Sequence, residues 1–232
     1  MSLGLVLLLG FAAAVYFGLA HRILDRMRLT DVEALIFIAA MIAGGFVTLP
    51  VSAGQIKLSL NLGGVVVPVV LSLYLLSKAD KSWERIRALL ASVGTALAIR
   101  LISARTDFGP EAGSTVLIDP VWLYSLIGGL IAYPLGRSRR AAFVAGTLGV
   151  VLADLFHLGQ LMARRLPGVV ALGGAGVFDA TVLAGFIAVG LAEVVGETRE
   201  RLQGGPELGD DRPLALQQDE GIREDDGRGE DL

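Results

Sequence analysis

Cysteine is missing from all 232 residues. Its absence excludes disulfides, thiolate metal sites and cysteine nucleophiles. Histidine is nearly missing too: His21 and His157 are the only two, too few for a histidine-rich metal centre. No metal and no cofactor is expected. Charge is scarce, at 19% of residues, and the net charge is −3. Such a chain offers no basic surface for nucleic acid, and no nucleic-acid partner is expected. No basic residue precedes the first apolar run, Leu3 to Ala20, whereas Arg22, Arg26 and Arg28 follow it. That order is the reverse of a cleaved signal peptide and fits an uncleaved span with its N-terminus outside.

What is abundant is apolar surface. Hydrophobic residues make up 53% of the chain, and the mean hydropathy is +0.65. Those values predict a polytopic membrane protein. A span needs about 20 mostly apolar residues. Seven such stretches are expected, at about residues 3–20, 34–53, 62–77, 86–104, 115–136, 140–163 and 169–195. Thr30-Asp31-Val32-Glu33 has the spacing of a helix N-cap before the second, and Ser138 can cap the sixth. With the N-terminus outside, cytoplasmic loops hold ten Lys and Arg and outer loops hold four. The expected fold is therefore all-α: a transmembrane helix bundle of about seven spans, N-terminus outside and C-terminus cytoplasmic, in the cell membrane. The lipid bilayer is its expected partner, and no oligomeric state is implied.

Residues 1–196 form the membrane domain in this reading. From Glu197 onward there are 12 acids and 5 bases, a net of −7, which leaves +4 on the membrane body. This tail, 197–232, holds no aromatic residue and is expected to be disordered.

One segment departs from helical spacing. Gln55 to Leu62 alternates polar and apolar residues with period two, which predicts an extended strand. It is either an extended segment that lines a cavity or pairs with an extended partner strand, or an interfacial loop with its apolar side in the lipid headgroups. Asn61, Gly63, Gly64 and Pro68 then open the third span. Glycines and a proline permit a broken or closely packed helix there, with Asn61 as a cavity residue or a helix cap.

Two acids stand inside apolar spans: Asp154 in the sixth and Asp179 in the seventh. A carboxylate at membrane depth costs several kcal/mol unless paired or solvated, so each marks a candidate site. Asp154 lies 14 residues into its span, roughly 21 Å deep, and Asp179 lies about 10 residues into the next, roughly 15 Å from the opposite entry. A short loop makes the two spans antiparallel neighbours, so the acids fall at similar depth. Gly173, Gly174 and Gly176 permit close approach of the two helices. Two carboxyl groups in contact hold one proton between them, as in aspartic proteases, which are the established example of this sharing. The same pair also suits a proton relay or a cation site in a transporter or channel, or only holds helices together through hydrogen bonds in a non-catalytic structural membrane protein. His157 shares a helix face with Asp154 and can tune it or relay protons. Arg100 is a candidate counter-ion, Asp119 a cap, and Glu193 a residue that reaches for the interface.

The segments G-T-L-G-V-V-L-A-D-L-F-H-L, G-G-A-G-V-F-D-A-T-V-L-A-G and N-L-G-G-V-V-V-P resemble an uncharacterised prokaryotic integral-membrane family known only as a domain of unknown function, DUF1614. That resemblance covers about residues 30–195 and implies a multi-span protein without an assigned activity. A-D-L-F-H-L and G-A-G-V-F-D also resemble, distantly, the paired motifs of presenilin-type intramembrane aspartyl proteases. Ala153 stands where that group has tyrosine, and Val177 and Phe178 separate Gly176 from Asp179. This second resemblance implies that Asp154 and Asp179 are a catalytic pair acting on a transmembrane peptide. His157, Gly174, Gly176, Asn61, Gly63 and Gly64 would then support the pair or line the substrate.

Overall fold

The computed structural model describes residues 27–53, 56–79, 81–105, 120–136, 138–174, 176 and 179–202. The expected first span, Asp119, and residues 203–232 of the tail lie outside these. Among the described residues are six α-helices and three strands. They run α1 (Asp31–Gly45), β1 (Thr48–Ala53), β2 (Ile56–Asn61), α2 (Val67–Ser77), α3 (Ser82–Arg105), α4 (Pro120–Gly136), α5 (Arg139–Arg164), β3 (Gly168–Leu172) and α6 (Ala180–Leu202). A π-helical turn, Leu62–Val66, leads into α2. The molecule is thus mostly helical. By length and composition α3 and α5 are able to cross a membrane; α5, with 26 residues, is about 39 Å long. The chain divides into two units at Val194 and Val195. Helix α6 continues through Leu202, six residues into the stretch expected to be disordered.

The expected caps form. Glu33 N–H donates to the Thr30 hydroxyl at 3.2 Å, while Thr30 N–H donates to the Glu33 carboxylate at 2.8 Å. Two N–H groups that lack helical partners are satisfied in this reciprocal way. The Ser138 hydroxyl accepts from Ala141 N–H at 3.1 Å and starts α5.

Polar contacts fix which helix ends lie together. Lys78, just past α2, pairs with Glu33 at the start of α1 at 2.9 Å. Arg140 at the start of α5 pairs with Glu84 at the start of α3 at 3.2 Å. Arg139 pairs with Glu193 in α6, so the Glu193 carboxylate is engaged by a cation. Three guanidinium groups satisfy the carbonyl end of α2: Arg28 and Arg140 donate to the Lys78 carbonyl and Arg85 to that of Ala79. Cations there complement the negative pole of the helix. The starts of α1, α3 and α5 therefore share one end of the bundle with the finish of α2, and the helices alternate in direction.

Glu33 sits at the mouth of α1. The Tyr74 hydroxyl, the Thr30 N–H and Lys78 hold its carboxyl down to about 2. Lys78 lies 4.6 Å from the centre of the Tyr74 ring, and Tyr74 and Glu33 together raise its pKa.

Small side chains set the helix spacing. Ala91, Ala132, Ala142, Ala145, Ala188 and Ala192 form one buried layer joining α3, α4, α5 and α6. A second layer contains Ala96, Val150, Ala153, Ala180 and Ala184. Small residues let backbones approach closely, which is how helices associate where no hydrophobic drive separates them from lipid.

The other end of the bundle carries a three-stranded sheet in the order β1-β2-β3. β1 and β2 pair antiparallel, with Leu49 opposite Leu60, while β2 and β3 pair parallel, with Leu58 opposite Val170. The period-two pattern correctly marks β2 as extended, and β2 is the central strand. Two expected spans differ from the structure. The second ends as a helix at Gly45 and continues into β1. The seventh is no continuous helix from residue 169: it begins as β3, turns at the glycines, and becomes helical only at Ala180. Gly173 and Gly176 adopt left-handed φ values of 68° and 63°. Those conformations are costly for other residues and incompatible with a continuing helix.

Candidate functional site

Three backbone segments cross at the sheet end of the bundle, and glycine makes the crossing possible. A Cβ on Gly63 would lie 2.0 Å from the Met41 carbonyl oxygen and 2.3 Å from the Gly45 nitrogen. One on Gly64 would lie 2.3 Å from the Gly173 oxygen and 2.7 Å from the Gly176 oxygen. The C-terminus of α1, the π-helical turn and the Gly173–Gly176 turn therefore touch backbone to backbone. Any side chain at residues 63 or 64 would separate them.

Asn61 locks this crossing. Its amide nitrogen donates to the Gly45 carbonyl at 2.9 Å and to the Thr48 hydroxyl at 3.0 Å, and its oxygen accepts from Gly64 N–H at 2.8 Å. Asn61 is 2% exposed. Both amide protons and the oxygen are engaged, so the side chain acts as a cap and clamp. The π-helical turn follows from its sequence. Val67 N–H donates to the Leu62 carbonyl five residues back, and Pro68 has no N–H with which to impose the tighter α pattern.

The crossing delivers Asp179. Gly176 N–H donates to the Gly173 carbonyl at 2.8 Å, and Asp179 N–H donates to the Gly176 carbonyl at 3.0 Å. Asp179 precedes α6. Its carbonyl accepts from Val182 and Leu183 N–H, and its carboxylate accepts from Thr181 N–H at 2.9 Å. It is buried, at 8% exposure. Its position at a helix N-terminus differs from the mid-helix setting expected from sequence. An anion there is favoured by the first-turn N–H groups and the helix dipole.

Asp154 lies on α5, half-buried, and its neighbour Ala153 shares a buried layer with Ala180, the residue after Asp179. His157 is one turn further along the same helix and also half-buried, with no hydrogen bond to a described residue. Gly174 lies in the turn, its N–H donating to the Ala171 carbonyl at 3.3 Å. Arg100 donates to Gln160, so its guanidinium is engaged two turns beyond the acids. Asp154 and Asp179 are thus brought to one level, and Asn61, Gly63, Gly64 and Gly176 form the scaffold beneath Asp179. No group of three or more His, Asp or Glu side chains able to hold a metal is found among the described residues.

Three threonines escaped the sequence reading. Thr95, Thr147 and Thr181 are each 0% exposed, and none of their hydroxyl groups has a hydrogen-bond partner among the described residues. A buried unsatisfied hydroxyl costs about 1–3 kcal/mol. Thr181 is on α6 two residues from Asp179. Thr147 on α5 lies against Gly185 of α6, with its hydroxyl 2.5 Å from where a Gly185 Cβ would be. Thr95 of α3 packs over Gly149 of α5. The available signal was a threonine facing a glycine across two apolar helices, which takes the fold to recognise.

Among the described residues, these features define a mostly helical protein with two helices long and apolar enough to cross a membrane. The chain belongs to the DUF1614 family, described as a protein of unknown function, whose family model matches residues 22–191. No curated protein and no solved structure matches the chain.

Proposed function

We propose that this is a multi-pass cell-membrane protein, N-terminus outside, that hydrolyses peptide bonds of membrane-embedded substrates with Asp154 and Asp179. The observation that carries the reading is the common level of the two acids, with strand β3 leading into the turn that ends at Asp179. An extended substrate can pair with a strand edge through its main chain, which brings its scissile bond toward the acids. One carboxylate takes a proton from water. The other, protonated, donates to the scissile carbonyl, and the resulting hydrate collapses as the leaving amine takes up a proton. Helix α6 contributes first-turn N–H groups that hold the Asp179 carboxylate in position.

The test uses the full chain in detergent with a panel of transmembrane peptides. Asp154→Asn and Asp179→Asn should each abolish cleavage. If both variants cut at the wild-type rate, the hydrolase reading is wrong.

A second reading, proton- or cation-coupled transport through the same acids, is favoured by the unpartnered Thr147 and Thr181 hydroxyls. They lie below the acid pair along the α5–α6 contact, where hydrolysis does not need them. pH-dependent flux in proteoliposomes without peptide cleavage selects this reading.

A further inference from the structure

Helix α5 carries an unassigned feature on the side away from the acid pair. An open, shallow groove of about 390 Å³ runs along its outer half, lined by Leu152, Leu155, Phe156, Gly159, Gln160 and Ala163. Gly159 forms its notch: nothing lies within 4 Å of where a Cβ would stand. From Leu152 to Ala163 is eleven residues, about 16 Å of helix. One leaflet of a bilayer core is about 15 Å deep, so the groove spans the depth of a single acyl layer.

The groove ends at cations. Arg164 and Arg165 follow Ala163 directly, and both are exposed. Arg165 closes α5 in a left-handed conformation, φ 53°, its N–H donating to the Leu161 and Met162 carbonyls. Neither arginine has an ion-pair partner among the described residues. On the membrane orientation proposed above they lie on the outer side, against the usual bias of basic residues toward the cytoplasm. Unpaired basic charge here is complementary to a phosphate, and the groove below it is complementary to a hydrocarbon chain.

We infer that α5 binds one anionic phospholipid of the outer leaflet, an acyl chain in the Gly159 groove and the phosphate at Arg164 and Arg165. The inference rests on the membrane reading, and not on the acid pair being catalytic.

Native mass spectrometry of the full chain in nonionic detergent tests it. Dioleoyl phosphatidylglycerol, dioleoyl phosphatidylcholine and glycerol phosphate are offered separately. The glycerol lipid should be retained about tenfold better than the choline lipid, given the attraction of two bases for an anionic headgroup. Glycerol phosphate alone should not be retained. R164Q/R165Q should remove the preference, and Gly159→Leu, which fills the notch and keeps every charge, should lower retention of both lipids. Both substitutions lie on the surface, and helical circular dichroism checks that the fold survives. Equal retention of the two lipids, or glycerol phosphate binding as well as the lipid, overturns the inference. So does unchanged lipid retention in either variant. Carbonate extraction of cell membranes tests the membrane reading separately: a chain that stays with the membranes but shows no lipid preference loses only this inference.

Discussion

The Thr147 hydroxyl of α5 lies directly against Gly185 of α6. Thr147 is eight residues above Arg139, and Gly185 is eight residues before Glu193, the residue that Arg139 pairs with. Each step up α5 is therefore matched by one step back along α6. Six to seven residues further on, the same register sets Asp179 and Asp154 at a similar level. Two acids 25 positions apart in sequence reach that level because an ion pair and a glycine contact, both at a distance from them, fix how the helices slide.

Asp179 has two separable roles, cap and acid. Asp179→Ala removes the acceptor for Thr181 N–H and should destabilise the protein by about 1 kcal/mol. Asp179→Asn keeps a capping oxygen and should melt close to wild type. Thermal unfolding in detergent compares them. Equal loss in both variants would show that the charge, rather than the cap, holds the turn.

The glycine crossing should be the least tolerant part of the chain. Gly63→Ala and Gly64→Ala place a methyl group about 2 Å from backbone atoms and should prevent stable folding. Asn61→Ala orphans the Gly45 carbonyl, the Thr48 hydroxyl and the Gly64 N–H, and should cost about 3 kcal/mol. Gly159→Ala is the control. It meets open space in a helix interior and should stabilise by up to about 1 kcal/mol. Yield of monodisperse protein and melting temperature report all four.

Thr147→Val removes a buried hydroxyl that has no partner while nearly keeping its shape. It should raise stability by about 1 kcal/mol. Under the transport reading it should also slow pH-dependent flux; under the hydrolase reading cleavage should stay at the wild-type rate. Melting temperature and the two activity assays, run side by side, separate these outcomes.

Glu33 predicts an acid-side weakness at the end of the bundle opposite the sheet. Its carboxyl is held at about 2, against an ordinary value of 4.5. A group lowered on folding adds stability that is complete above 4.5 and is lost as the pH falls through about 2. Unfolding followed between pH 5 and 2 should show this loss, and Glu33→Gln should flatten the slope across that window. The side chain is partly exposed, so high salt should weaken the effect.

Local chemistry was legible in the chain itself. The Thr30–Glu33 box, the Ser138 cap, the helices over 82–105 and 139–164 and the extended segment at 56–61 all follow from nearest-neighbour patterns. Each is stabilised by groups within a few residues of one another. The polar–apolar alternation of β2 survives translation into structure for the same reason. Asp154 and Asp179 stood out from composition alone, because a carboxylate among apolar residues is conspicuous wherever the chain leads.

Tertiary structure decided the rest. Val169 to Leu172 is apolar enough for either a helix or a strand, and the open edge of β2 selects the strand. That choice moves Asp179 from the middle of an expected span to the N-terminus of α6. Gly63 and Gly64 were visible as helix-weakening residues, but their reason is the backbone of Met41, Gly45 and Gly173, which no local pattern contains. The three threonine hydroxyls are ordinary in sequence and become costly only when neighbouring helices close over them. The sequence by itself determined which segments are apolar, where helices start and which residues carry charge. The sliding of α5 against α6 and the crossing of three glycine-rich backbones decided which of those residues meet, because contact between distant segments depends on packing and not on spacing along the chain.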